Sequence, residues 1–202
     1  MRELIRVLDV LPPHYCRHLI EKFEQSQVER TAGAAFDSGW NKVDRLTGWH
    51  ELNLSAHPAR WEREIATFTT VVDRVAKEYQ RLVGHTLPQV YRLGPLRMKK
   101  YEAAQGHRFA PHTDANSMRD APRFLSLLFY LNTVTEGGET EFLNPAVVVQ
   151  PKAGSVMVFP PFWMFPHAGR TPRSNDKYVL GTYLHYPEAR ASAEGEVHPG
   201  RP

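Results

Sequence analysis

Two kinds of hydrophobic spacing divide the chain. After the Leu11-Pro12-Pro13-His14 turn, Leu19, Ile20 and Phe23 recur at helical spacing within Tyr15 to Glu29. From about Pro58 to Val83, the residues Ile65, Phe68, Val72, Val75, Tyr79 and Leu82 make one apolar stripe. The spacing predicts two helices, the second opened by Ser55 as N-cap and closed by Gly84. Between them, Thr31 to Asn53 sustains no period and reads as a long loop with one or two short strands, for example around His50-Glu51-Leu52-Asn53-Leu54. Further along, the period shortens. Leu96 to Tyr101, Phe124 to Leu131, Val147 to Gln150, Ser155 to Phe159 and Lys177 to Tyr186 are short runs rich in aromatic and β-branched residues, separated by Gly, Pro and Asn. Helices followed by many short strands predict an α+β fold, a β-sandwich or barrel buttressed on one side by the N-terminal helices.

Composition narrows the class. A chain of 202 residues, 42% hydrophobic and 23% charged, suits one folded domain, expected over 1–186 with helical framing in 1–95 and a strand core over about 96–186. The Pro-, Gly-, Ala-, Ser- and Glu-rich tail, 187–202, is expected to be disordered. The net charge of +3 comes from Lys and Arg scattered among acidic neighbours, which argues against a nucleic-acid face and leaves an anionic substrate or cosubstrate open. The lone cysteine, Cys16, excludes an internal disulfide or thiolate cluster and reads as a buried, inert thiol. Arg2, Glu3, Arg6 and Asp9 interrupt any secretory signal, and the apolar run from Ser155 to Phe165 is too short and proline-rich to span a bilayer. The expectation is a cytoplasmic protein without a membrane or nucleic-acid partner; nothing in the sequence specifies an oligomeric state.

The candidate chemistry lies in the second half. In a strand, His112 and Asp114 of His112-Thr113-Asp114 would share one face and could close on one ion. Two His and one carboxylate on an octahedral iron leave three positions open, enough for a bidentate cosubstrate and O2. His167, after the apolar stretch Val156 to Pro166, is the natural third ligand, although it reads equally as a core imidazole satisfied by backbone. Lys177 shares a strand face with Val179, Gly181 and Tyr183, and Gly181 leaves room there. Facing outward it is an ordinary edge charge; facing inward it supplies a point charge for a carboxylate, a role for which Arg170 and Arg173 compete.

The order and spacing of these residues resemble the prolyl 4-hydroxylase-like branch of the 2-oxoglutarate/Fe(II) dioxygenases. The likeness runs from about Lys99 to Tyr186 through Tyr101, the stretch 106–109, Pro111-His112-Thr113-Asp114, Arg123 to Asn132 with its Tyr130-Leu131-Asn132, Gly137-Gly138-Glu139-Thr140-Glu141-Phe142, Pro151 to Phe159, His167 and Lys177. The resemblance implies a double-stranded β-helix, or jelly-roll, and Fe(II) held by His112, Asp114 and His167. It implies that Lys177 pairs with the distal carboxylate of 2-oxoglutarate, and that Tyr101 and Tyr130 hydrogen-bond that cosubstrate. O2 and ascorbate complete the expected cofactors, with succinate and CO2 as by-products. The expected partner is a proline-containing peptide, protein or small molecule, a free amino acid being the alternative. Gly137-Gly138 reads as a tight turn, and Thr140 and Arg123 as structural. Phe109, Trp163, Phe165 and the 31–53 loop, with Trp40 and Trp49 as a candidate lid, would shape the entrance; Arg92 and Arg97 are candidate contacts to a substrate carboxylate. Rival readings are a non-catalytic metal-binding jelly-roll sensor and a cupin-type enzyme that uses the same ligands without 2-oxoglutarate.

Overall fold

The computed structural model describes residues 1–34 and 48–187. Two helices frame two sheets. Helix α1 is Pro13–Gln25, buried through Cys16, Leu19 and Phe23, and it stops short of the expected end at Glu29. The Ser26 hydroxyl donates to the Lys22 carbonyl at 2.8 Å, and residues Gln27–Glu29 continue as a 3-10 turn. Helix α2 spans Pro58–Val83, begins with proline at its first turn, and ends where Gly84 enters the left-handed region at φ +70°. Ser55 is not its cap. Asn53 caps the preceding 3-10 turn by accepting from the Ser55 amide, and the Ser55 hydroxyl instead accepts from the amide of Leu96 at 3.0 Å. Ser55 therefore ties the helix entrance to the sheet.

Numbered in chain order, the larger sheet runs β1 (Arg6–Asp9), β10 (Ser155–Phe159), β7 (Arg123–Tyr130), β12 (Lys177–His185), β5 (Arg97–Tyr101), β3 (Gly48–Asn53) and β2 (Thr31–Ala34), with β4 (Arg92–Leu93) pairing β12. The smaller sheet runs β6 (Phe109–His112), β11 (His167–Gly169), β8 (Thr140–Phe142) and β9 (Val147–Val149). All pairings are antiparallel among the described residues. This is the α+β jelly-roll that was expected. The five strand runs read from the pattern are present. The pattern did not mark β1, β4, β6, β8 or β11, which are short or interrupted by charge and proline. The 31–53 segment is more ordered at its ends than a loop: β2 and β3 pair from Thr31↔Glu51 to Ala34↔Gly48. Trp40 and the rest of 35–47 lie outside the described residues, as does the tail from residue 188.

Alternation along the central strands explains the layering. On β7, Leu125, Leu127 and Phe129 join a core with Phe68, Val72 and Val75 of α2 and with Leu19 and Phe23 of α1. On β10, Val156 and Val158 do the same, while Met157 and Phe159 turn to the second cluster with Tyr101, Tyr130, Phe142 and Phe165. The helices thus cover one face of the larger sheet, and the other face meets the smaller sheet. Cys16 is buried beneath α1, and burial raises its thiol pKa. Among the described residues, no helix is long and apolar enough to cross a membrane.

Candidate active site

Strand register brings the two histidines together. His112 ends β6 and His167 begins β11, and they are direct cross-strand partners with ring centroids 4.3 Å apart. Asp114 arrives differently from the expectation. β6 ends at His112, so a shared strand face does not place the carboxylate; a bend does. Arg123 donates to the Asp114 carbonyl at 2.6 Å, and the amide of Ala115 donates to Pro161 at 2.9 Å. The carboxylate then lies with Oδ1 3.3 Å from His112 Nε2 and 3.9 Å from His167 Nε2.

Each of the three offers a ligating atom, and these atoms lie within 4.8 Å of one another. Both imidazoles are oriented from behind. His112 Nδ1 lies 2.9 Å from the carbonyl of Ala110, and His167 Nδ1 lies 3.1 Å from that of Phe165. A carbonyl accepts only, so Nδ1 carries the proton on each ring and Nε2 keeps its lone pair for the shared centre. The carboxylate is fixed on both oxygens: Ser126 donates to Oδ2 at 2.8 Å and Tyr183 to Oδ1 at 3.2 Å. Burial lowers the His167 pKa to about 4, against the pull of Asp114, so this imidazole is neutral near pH 7. Burial pushes Asp114 upward, yet the His167 and His112 rings and the Ser126 hydroxyl hold it well below the usual carboxylate range. A neutral imidazole beside an ionised carboxylate is the state a divalent cation requires.

The triad opens into a cavity of about 230 Å³ between the two sheets. Lys177, Val179, Gly181 and Tyr183 of β12 line it together, the face that alternation predicted. A Cβ added at Gly181 would meet only Leu128 Cδ1 within 4 Å, at 3.8 Å, so glycine here keeps the wall recessed. Lys177 is 3% exposed and donates to the Gly138 carbonyl at 2.6 Å. Its ammonium stands 5.7 Å from the Tyr101 ring and 5.4 Å from the Tyr130 ring. Burial lowers its pKa to about 7, opposed by Glu139. Gly138 can present that carbonyl because Gly137 and Gly138 both adopt positive φ, +71° and +72°, in the expected turn.

Other candidates divide. Tyr101 lines the cavity opposite Lys177 in the strand register, and burial raises its phenol pKa. Tyr130 sits behind the wall, its hydroxyl donating to Thr140 Oγ1 at 2.8 Å, and Thr140 itself lines the cavity. Phe109 lines it too and packs on His112 with centroids 4.1 Å apart. Phe165 is buried in the inter-sheet core, and Trp163 is 78% exposed away from the cavity wall. Trp49 is buried in β3 and stacked on Phe109 with centroids 4.6 Å apart, which pins this part of the loop. Arg170 lines the cavity but holds Glu141, and Arg173 does not line it. Neither Arg92 nor Arg97 lines it, and Arg97 is committed to Glu51 at 2.5 Å.

Several wall residues take part in the site in ways the sequence did not assign. Arg123, read as structural, lies with its guanidinium carbon 4.0 Å above the Tyr183 ring and pairs with Asp120 at 2.7 Å, besides holding the Asp114 bend. Ser126 is legible as the one small polar residue in a run otherwise of large apolar and aromatic side chains. Tyr183 was placed on the right face without a task. Lys99 lies two residues before Tyr101 on β5, the same alternation that marked Lys177, and lines the cavity.

Comparison with known proteins agrees with this geometry. The model of the 2OG-Fe(II) oxygenase superfamily matches residues 96–185. No curated protein matches the chain by sequence. Among solved structures, the fold is similar to a prolyl hydroxylase from Trichoplax adhaerens, in complex with a hypoxia inducible factor oxygen degradation domain peptide fragment. That match has a TM-score of 0.70 at 17% identity and covers 91% of this chain and 84% of that one. It is also similar to a Pseudomonas putida prolyl-4-hydroxylase, with a TM-score of 0.65, 17% identity, and coverage of 91% and 93%. The viral collagen prolyl hydroxylase of Paramecium Bursaria Chlorella virus-1, in its 2OG complex, matches with a TM-score of 0.61, 18% identity, and coverage of 92% and 97%.

Proposed function

We infer, from the match of the 2OG-Fe(II) oxygenase superfamily model to residues 96–185, that this protein is a dioxygenase that hydroxylates an unactivated C–H bond of a prolyl residue in a peptide or protein. The observation that carries the reading is the pairing of two features in one cavity: a His-Asp-His donor set and a buried lysine facing it. The donor set fits Fe(II), with nitrogen and oxygen ligands and protons already directed away from the centre. The buried ammonium fits the far carboxylate of 2-oxoglutarate, since a carboxylate there would replace the hydration that burial removes. A metal-binding module without a cosubstrate has no comparable use for Lys177.

When bound, Fe(II) with 2-oxoglutarate and O2 supplies the oxidising chemistry that inserts one oxygen atom into a C–H bond, with succinate and CO2 released. The protein's part is orientation and exclusion of water. His112, Asp114 and His167 would hold the metal through Nε2, Oδ1 and Nε2. Lys177 would fix the cosubstrate's far end, with Tyr101 beside it and Tyr130 supporting the wall through Thr140. Ser126, Tyr183 and Arg123 would keep the aspartate in one orientation. The prolyl substrate is supported by the similar structures, whose names describe prolyl hydroxylases. We place the protein in the cytoplasm, consistent with its single buried thiol, and expect ascorbate to sustain turnover in vitro.

The test is mass spectrometry of proline-containing peptides and free amino acids after incubation with Fe(II), ascorbate and 2-oxoglutarate. The reading expects a gain of one oxygen on a prolyl peptide, matched by succinate. Oxygen gained only on a free amino acid moves the substrate and keeps the dioxygenase; no succinate under any condition ends the reading.

A further inference from the structure

The cavity contains a second lysine to which the proposed chemistry assigns no task. Lys99 on β5 is the register partner of Val179, while Lys177 is the partner of Tyr101. The two lysines are therefore diagonal neighbours on one face of paired strands, with Cα atoms about 7–8 Å apart. They differ in depth: Lys177 is 3% exposed, and the Lys99 side chain 20%. Trp49 and Phe109, stacked on each other, guide the Lys99 stem, and its ammonium lies 4.8 Å and 4.9 Å from their ring centroids.

The charges around Lys99 do not close. Among the described residues its nearest carboxylate oxygen is Glu51 Oε2 at 3.7 Å, beyond hydrogen-bond reach. Glu51 is already engaged by Arg97 at 2.5 Å and by the Trp49 indole at 3.3 Å. Glu51 is shared by two cations, and Asp114, the other acid that acts on Lys99, is held at the triad by Ser126 and Tyr183, so among the described residues Lys99 has no close counter-ion of its own. The other lining cations divide sharply among the described residues: Arg123 holds Asp120 and Arg170 holds Glu141, while Lys177 has only a backbone carbonyl. Partial burial of an ammonium without a close counter-ion is costly, and a methionine would fill the slot between the two rings without that cost. Burial accordingly lowers the Lys99 pKa, with Glu51 and Asp114 opposing.

We propose that Lys99 is a second carboxylate-binding group of this cavity, standing nearer solvent than Lys177. Which carboxylate it receives rests on the dioxygenase reading: that of the substrate, as a free terminus or acidic side chain beside the reacting residue, or the second one of 2-oxoglutarate.

Calorimetry on the anaerobic Fe(II)-loaded protein separates the two, comparing wild type with Lys99→Met, which keeps the stem, and Lys99→Arg, which keeps the charge. The first arm titrates 2-oxoglutarate. The second, at saturating 2-oxoglutarate, titrates N-acetylproline against N-acetylprolinamide. The assignment expects Lys99→Met to weaken carboxylate binding by about tenfold in one arm, with Lys99→Arg restoring most of it. Loss in the first arm identifies the cosubstrate; loss of the preference for acid over amide in the second identifies the substrate. Equal behaviour of wild type and Lys99→Met in both arms, absence of binding included, overturns the Lys99 assignment. A wild type that binds no 2-oxoglutarate separately overturns the dioxygenase reading.

Discussion

The two faces of β12 carry opposite chemistry on one stretch of backbone. Toward the helices, Leu180 and Leu184 enter a buried apolar core with Phe68, Val72 and Phe129. Toward the smaller sheet, Lys177, Gly181 and Tyr183 face a cavity whose wall includes Asp114, Arg123 and His167. The first face contributes stability through buried apolar area and dense packing. The second gives stability up, because it holds a desolvated ammonium. A strand's period of two lets both demands be met at alternate residues, so the site inherits the rigidity of the core behind it.

That division can be broken from either side. His167→Ala removes a ligand and leaves the packed core intact; succinate formation is expected to fall by at least about 100-fold while the denaturant midpoint stays near wild type. Phe68→Ala acts on the opposite face. It is expected to cost about 3–5 kcal/mol in urea unfolding, with the activity of the remaining folded protein preserved. A loss of fold in His167→Ala would show that the two faces are not independent.

Lys177→Met should weaken 2-oxoglutarate binding at least about 30-fold, roughly 2 kcal/mol, and leave thermal stability unchanged or raised, because a buried charge is exchanged for an apolar chain. The pH dependence follows with its sign. In the ligand-free protein the Lys177 ammonium is charged below about pH 7 and neutral above. A carboxylate binds the ammonium, so above pH 7 binding must draw in a proton. The Kd for 2-oxoglutarate should therefore be flat just below pH 7 and rise up to about tenfold per unit above it. A flat profile from pH 6 to 9 would mean that Lys177 stays charged throughout. Tyr183→Phe is the mildest change: it releases one hydrogen bond to Asp114 Oδ1, and Fe(II) affinity should drop by about tenfold or less with the fold unaffected.

The sequence made alternation visible and pairing invisible. Lys177, Val179, Gly181 and Tyr183 could be assigned to one face from spacing alone, and the extent of α2 could be read from its stripe and its closing glycine. The partnership of His112 with His167 is a matter of register between distant strands, and no local pattern specifies it. Asp114 was legible by type and not by cause, since it is held by a bend that Arg123 and Pro161 organise from elsewhere in the chain. Ser55 carried the signature of a helix cap, but its hydroxyl serves the Leu96 amide, a tertiary choice that overrides a local one. Lys99 stands in plain alternation with Tyr101, but a lysine in a strand is ordinarily an edge charge, so spacing alone does not mark it.

The central claim is that the His-Asp-His centre and the Lys177 ammonium bind one molecule between them. Calorimetric titration of 2-oxoglutarate into the protein, with and without Fe(II) under anaerobic conditions, tests this on wild type, His167→Ala and Lys177→Met. The account predicts one equivalent bound by the Fe(II)-loaded wild type, with affinity lost when Fe(II) or His167 is removed and sharply weakened in Lys177→Met. Binding of equal strength in all of these states would contradict it.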